Sequence, residues 1–241
     1  MKRLKIITAI LAVLLLFVFS VFQAACKTET TVEDESAATD EESAEAERLK
    51  EENRESEDES MELIEKEIVI MGKVDEGYLV YVLPEAEDFH GLAIFNKDAE
   101  KQDELDFGKI YKIEFNGAMT RSIPPQFAGN TVKESDRQAE VLNCTFNDYM
   151  IFTSFMGEQQ LLDVRTDSEY QTGHLENSIN HSLGKIEEGD FGNFSKERPL
   201  FLYCRSGARS GEAGYFYLEE GFPVVVNMGG VIDFPQDKLL K

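Results

Sequence analysis

Six residues in a row, Cys204-Arg205-Ser206-Gly207-Ala208-Arg209, followed by Ser210, carry most of the chemistry legible in this chain. A thiolate is a strong nucleophile and a thiol a poor one, and these neighbours favour the thiolate. The apolar run Pro199–Tyr203 leads into the cysteine, and the amphipathic segment Ser210–Glu220 follows it. That is the pattern of a buried strand, a short loop and a helix. The start of a helix presents unpaired N–H groups and the positive end of the helix dipole. A loop curled at that point converges its N–H groups into a nest for an anion. With Arg205 and Arg209 alongside, the loop reads as a cradle for the Cys204 thiolate and an anionic substrate. Gly207 suits the curl, which a Cβ would obstruct. Ser206 or Ser210 could donate to a sulfur, and Ser210 could equally cap the helix. The competing reading is a core cysteine at a strand end beside two surface arginines.

The elements around the loop must hold it. From Asn143 onward, strand-like and helix-like stretches alternate. Thr145 is placed to cap a helix from Phe146 to about Phe155, ended by Gly157. QLLDV is a buried strand, and Asp167 or Ser168 starts a helical turn. ENSINHSL and PVVVNM are further strands, the last turning out at Gly229-Gly230. Such alternation predicts a parallel sheet with helices on its faces. Sites in such sheets form at the carboxyl ends of strands, where Cys204 stands.

On these residues the stretch resembles the rhodanese family of sulfurtransferases. The pieces are LLDVRTDSEYQTGHLENSINHSL, PLFLYCRSGARSGEAGYFYLEEGF and VNMGGV, in family order over roughly Cys144 to Phe234. The resemblance implies that Cys204 is the catalytic cysteine and Arg209 the arginine closing its loop. Two departures stand out. Glu176-Asn177-Ser178 replaces the usual Pro-Gly-Ala, and the chain has no Trp after the double glycine, where Phe234 is the available aromatic. Related folds with one more residue between cysteine and arginine hold phosphate or arsenate. The shorter loop resembles the sulfur-transferring branch.

The implied chemistry is covalent and needs no cofactor or metal. Cys204 takes a sulfane sulfur from thiosulfate or a persulfide and passes it to a thiol or cyanide. Arg205 to Ser210 would bind small sulfur-containing anions, while Asp163 and Arg165 read as a structural ion pair bracing the loop. His174 and His181 are candidate acid–base groups, although a preformed thiolate needs none. Three rivals stay open: a catalytically silent binding or sensing module, a phosphatase, and a redox protein pairing Cys144 with Cys204. The preferred reading of Cys144 is a packed apolar side chain.

Upstream of Asn143 the texture is different. IVIMGKV and YLVYVL flank Asp75-Glu76-Gly77, LAIF follows, and KIYKIEF ends at Asn116-Gly117, a hairpin signal. Several short strands in succession predict a small all-β barrel or sandwich. FGKIYKIEFNGAMTRSIPPQFAG resembles the small OB-like domains of some Gram-positive lipoproteins. His90 and Arg121 read as surface residues.

The N-terminus reads as a targeting segment. Lys2, Arg3 and Lys5 precede the apolar run Ile6–Phe22, and Gln23-Ala24-Ala25-Cys26 follows. Small residues before a cysteine resemble the lipobox of bacterial lipoproteins, with Gln23 where an aliphatic residue is usual. Lipidation of Cys26 is expected; an ordinary signal peptide or an uncleaved anchor are the alternatives. Each places the remainder outside the cytoplasm, and the first ties it to the membrane by lipid. Between Lys27 and Glu67 lie 18 acidic and 5 basic residues, a net of −13 within the chain's −23. With no aromatic residue before Ser60, this stretch reads as a solvated tether, helix-prone at Glu41–Lys50. Such a charge argues against a nucleic-acid partner. The expected organisation is a signal peptide at 1–26, a tether at 27–64, an OB-like barrel at 65–142 and an α/β rhodanese-like domain at 143–241.

Overall fold

The computed structural model describes residues 63–75, 77–85, 89–97, 104–129 and 131–240. The apolar segment, Cys26, the helix-prone stretch and all but the last two tether residues lie outside them. Among the described residues no helix is long and apolar enough to cross a membrane.

Strands β1 (Ile64–Val74), β2 (Gly77–Val82), β3 (Gly91–Lys97), β4 (Ile110–Phe115), β5 (Gln126–Gly129) and β6 (Thr131–Glu134) form one sheet, ordered β5-β3-β2-β1-β4-β6. β5 and β6 lie at its two ends yet follow each other in the chain, so the sheet curls until its ends meet. β3 and β5 pair in parallel, the other neighbours antiparallel. Asn116-Gly117 does not make the expected hairpin. Gly117 turns the chain at φ 78°, but β4 pairs with β1 and β6, and the chain returns through Pro124-Pro125 to pair with β3.

The unbroken apolar run Ile68-Val69-Ile70-Met71 has a physical reason. A strand with one wet face alternates; one buried on both faces does not. Ile68 and Ile70 point inside the curled sheet with Tyr78, Val80, Phe95 and Ile113. Val69 and Met71 point outward, with Leu79, Tyr81 and Leu83, into a second cluster. That cluster is completed by Tyr149, Phe152, Leu161, Phe201 and Val226 of the α/β part. Each such buried side chain contributes about 1.5–3 kcal/mol. The contact is close: a Cβ at Gly72 would lie 2.3 Å from the Met156 methyl. The described residues accordingly make one compact unit.

In the α/β part, β7 (Leu142–Asn143), β8 (Gln160–Asp163), β10 (Ile179–Asn180), β11 (Leu200–Cys204) and β12 (Val225–Gly230) form a parallel sheet ordered β10-β8-β11-β12-β7. β9 (His174–Leu175) pairs instead with β13 (Leu239–Leu240). Helix α1 (Phe146–Met156) starts in a capping box between Thr145 and Asp148. Helices α2 (Asp167–Gln171), α3 (Leu183–Glu187) and α4 (Ala208–Glu219) complete the fold. Phe201 and Tyr203 of β11 face the cluster shared with the first sheet. Leu200, Leu202 and Cys204 face the other way, packing with Ala213 and Tyr217 of α4.

Candidate active site

Cys204 ends the middle strand of the parallel sheet, with Asp163 at the end of β8 on one side and Gly230 at the end of β12 on the other. Its Sγ accepts a hydrogen bond from the Gly207 amide at 3.1 Å and one from the Ser210 hydroxyl at 3.5 Å. The amides of Ser206 and Ser210 are also directed at it. Burial works against ionisation here, since the residue is 1% exposed. The Ser210 hydroxyl and the three amides outweigh that cost and hold the thiol below its ordinary range. The curl depends on Gly207, whose φ of 94° is left-handed and costs most other residues about 1–2 kcal/mol.

Helix α4 begins at Ala208, two residues before the expected start at Ser210, with Gly207 as N-cap. Ser210 is therefore inside the first turn and does not cap. Its hydroxyl faces the sulfur, Asn227 and the carbonyls of Gly207 and Gly229. Arg205, Ser206 and Ala208 are exposed. Among the described residues the Arg205 guanidinium has no ion-pair partner, whereas Arg209 is held bidentately by Glu169 of α2 at 2.7 and 2.8 Å. Arg209 thus ties the loop to α2, and any charge it offers an incoming anion is already partly neutralised. Asp163 and Arg165 form a buried pair, with Nε at 2.9 Å from both carboxylate oxygens; Arg165 also donates to the Gly173 carbonyl at 2.6 Å. This joins the end of β8 to the turn before β9, beside the Cys204 loop.

The remaining candidates lie elsewhere. His174 stacks on Tyr170 and contacts its carbonyl, and His181 contacts the Asp190 carbonyl. Cys144 and Cys204 are both free thiols. Cys144 packs at the edge of the shared cluster, and burial pushes its thiol well up. Among the described residues no group of three or more His, Cys, Asp or Glu is placed to hold a metal. Two residues that matter went unread in the sequence as site residues. Glu169 was hidden by its second role, capping α2 through Thr166. Asn227 carried no signal, since its partners come from three separate segments.

The Glu169–Arg209 pair makes a measurable prediction. The hydrogen-bonded guanidinium holds the Glu169 carboxyl at about 2, against about 4.3 in an unfolded chain. A depressed carboxyl pKa stabilises fully above the unfolded value and stops doing so as pH falls through the folded one. Both side chains are 32% exposed, so the increment is small. The stability difference between wild type and Glu169→Gln, measured by urea denaturation, should be constant above about pH 5 and close by about pH 2.

The family profile described as Rhodanese-like domain matches residues 153–234. This stretch is a rhodanese-like domain. It includes β8, the Cys204 loop, α4 and the double glycine of β12. The Bacillus subtilis protein YqhL is 30% identical over 71 residues, covering 30% of this chain and 56% of that one. The tRNA uridine(34) hydroxylase of Yersinia enterocolitica is 32% identical over 79 residues, covering 30% of this chain but only 23% of the enzyme. A crystal structure of a rhodanese-like domain protein from Staphylococcus aureus aligns at 25% identity and a TM-score of 0.38, over 42% of this chain and 97% of that one. These matches concern the rhodanese-like domain, and the chain spans about half of YqhL and a quarter of the hydroxylase.

The two departures from the family pattern have structural explanations. Asn177, standing where glycine is usual, has φ 61° and is the non-glycine residue at positive φ among those described. Asparagine tolerates that region better than most side chains. Phe234, the aromatic available after the double glycine, is buried between the rings of Tyr203 and Phe146, with centroids 5.6 and 5.3 Å away.

Proposed function

We propose that this protein is a sulfurtransferase working through a persulfide on Cys204. The observation that carries the reading is the sulfur at the centre of three amides and one hydroxyl, with its thiol held below the ordinary range. The Cys204 thiolate attacks the outer sulfur of thiosulfate. The S–S bond breaks, sulfite leaves with the bonding pair, and Cys204 carries a persulfide. The amides of Ser206, Gly207 and Ser210 stabilise the charge on the sulfur in both states, much as an oxyanion hole does. Cyanide or a thiolate then attacks the terminal sulfur, and Cys204 leaves as thiolate. Arg205, the exposed cation of the loop, attracts the donor, and Arg209 shapes the cradle through Glu169. The family includes sulfurtransferases, which supports the class of reaction.

The second reading, a silent binding module, is favoured by the 1% exposure of Cys204. One experiment separates the two: intact-mass spectrometry of the protein after incubation with thiosulfate, followed by peptide mapping. A gain of one sulfur atom on the Cys204 peptide is expected. No gain would leave the binding module.

We further propose an extracytoplasmic, lipid-anchored location, on the strength of Lys2, Arg3, Lys5, the apolar run and Ala24-Ala25-Cys26. An OB-like description of the first sheet is supported by its ends meeting in the chain and by the parallel β3–β5 pair.

A further inference from the structure

Asn227 lies where β12 departs from regular pairing. Leu202 pairs with Asn227 and Cys204 with Gly230, so β12 carries an extra residue across that interval. Such a bulge re-aims side chains. Val226 and Met228 face the cluster shared with the first sheet, while the Asn227 side chain meets the Cys204 loop. Its amide orientation follows from its partners. The Gly229 N–H can only donate, so Oδ1 faces it at 3.0 Å, and the Gly207 carbonyl can only accept, so Nδ2 faces it at 3.2 Å. Oδ1 also accepts from the Ser210 hydroxyl at 2.7 Å, and Nδ2 donates to Asn143 Oδ1 at 3.2 Å. Both faces of the amide are thus in use, and three of its four partners belong to the loop or to the turn beneath it.

The key partner is Gly207. Its N–H points at the Cys204 sulfur, and its carbonyl accepts from Asn227 at 3.2 Å beside the Gly211 amide at 2.9 Å and the Ser210 hydroxyl at 3.1 Å, so among the described residues Asn227 is the one partner from outside the loop and its helix that holds the residue donating to the sulfur. Asn143 is itself anchored. Its carbonyl accepts the Tyr81 hydroxyl at 2.6 Å, and it pairs with Asn227 across β7 and β12. Tyr81 belongs to β2 of the first sheet and is 5% exposed. Burial pushes its phenol up to about 12, so it remains a donor across the physiological range.

We propose that Asn227 is a positioning residue for the Cys204 loop, and that Tyr81, through Asn143, lets the first sheet set how readily that sulfur ionises. This gives the first sheet a role in the chemistry of the second. It rests on the reading of Cys204 as a reactive thiolate, but its test does not require sulfur transfer.

The readout is the pH dependence of iodoacetamide alkylation at Cys204 in the full chain, followed by peptide mass spectrometry. Ser210 complicates the single variant, because its one hydroxyl proton is shared between Asn227 Oδ1 at 2.7 Å and the sulfur at 3.5 Å, and removing Asn227 leaves more of it to the sulfur. Asn227→Ala is therefore compared on a Ser210→Ala background. There it should raise the alkylation midpoint by about one pH unit, a roughly tenfold smaller thiolate fraction below the midpoint. Tyr81→Phe, which deletes one hydroxyl and keeps the ring, should shift the midpoint the same way by about a third of a unit, roughly a twofold loss. A role limited to stability would lower Tm and leave both midpoints in place, which would overturn the proposal. If Asn227→Ala fails to fold, Tyr81→Phe decides alone, an unmoved midpoint counting against. Should wild type take no sulfur from thiosulfate while the midpoints move, the sulfurtransferase reading fails and this one stands.

Discussion

Cys204→Ser is expected to lower thiosulfate-to-cyanide sulfur transfer by at least about a thousandfold, to the background of the assay. A hydroxyl in the same cradle meets the same donors, yet it does not ionise near neutral pH and forms no persulfide. Position is therefore retained while the chemistry is lost. The side chain is 1% exposed among Leu202, Ala213 and Tyr217, and serine occupies slightly less space with a more polar atom. Stability should fall by only about 1 kcal/mol, because the Gly207 amide can donate to the new oxygen. Thiocyanate formation, followed colorimetrically beside a thermal melt, checks both halves. Turnover within tenfold of wild type in a folded variant would mean that another group carries the sulfur, and the assignment of Cys204 would be lost.

The loop was legible because three signals coincide there: an apolar strand, a helix-forming segment and a thiol between them. Local chemistry of that kind is written in consecutive residues. The cap at Thr145 and the run Leu200–Cys204 could be read for the same reason. What failed to show is what depends on separation in sequence. Arg209 reads as a free cation until α2 brings Glu169 against it, 40 residues upstream. Ser210 reads as a cap until Gly207 takes the αL conformation and starts the helix earlier. Asn116-Gly117 carries a hairpin signal, but closing the first sheet through β5 and β6 overrides it. Asn227 looks like a polar residue interrupting a buried strand. Only the parallel register that sets β7, β12 and the loop side by side gives it partners.

The double glycine closing β12 leads to the second large effect, expected for Gly230→Ala. A Cβ at residue 230 would lie 2.1 Å from the Arg205 carbonyl oxygen, 2.3 Å from the Arg205 carbonyl carbon and 2.3 Å from the Ser206 nitrogen. All three are backbone atoms of the loop, so no side-chain rotation relieves the contact. Either the loop lifts or the end of β12 withdraws. The Val231 amide bonds the Cys204 carbonyl at 3.0 Å and the Ile232 amide bonds the Arg205 carbonyl at 3.3 Å, so both movements break hydrogen bonds that seat the loop. Overpacking of this kind costs about 1–3 kcal/mol, and a displacement near 1 Å at a reacting centre costs about a hundredfold in rate. The variant should therefore fold with a lowered Tm, lose about a hundredfold in sulfur transfer, and alkylate at Cys204 with a midpoint shifted upward as the Ser206 and Gly207 amides turn away. Gly229→Ala is the informative comparison. Nothing lies within 4 Å of a Cβ there, but its φ of 83° strains an alanine, so stability should fall with a smaller loss of rate. Equal rate losses in the two variants would mean that backbone conformation, rather than the bare surface at residue 230, seats the loop. A rate within twofold of wild type for Gly230→Ala would show that the amide cradle does not depend on β12 at all.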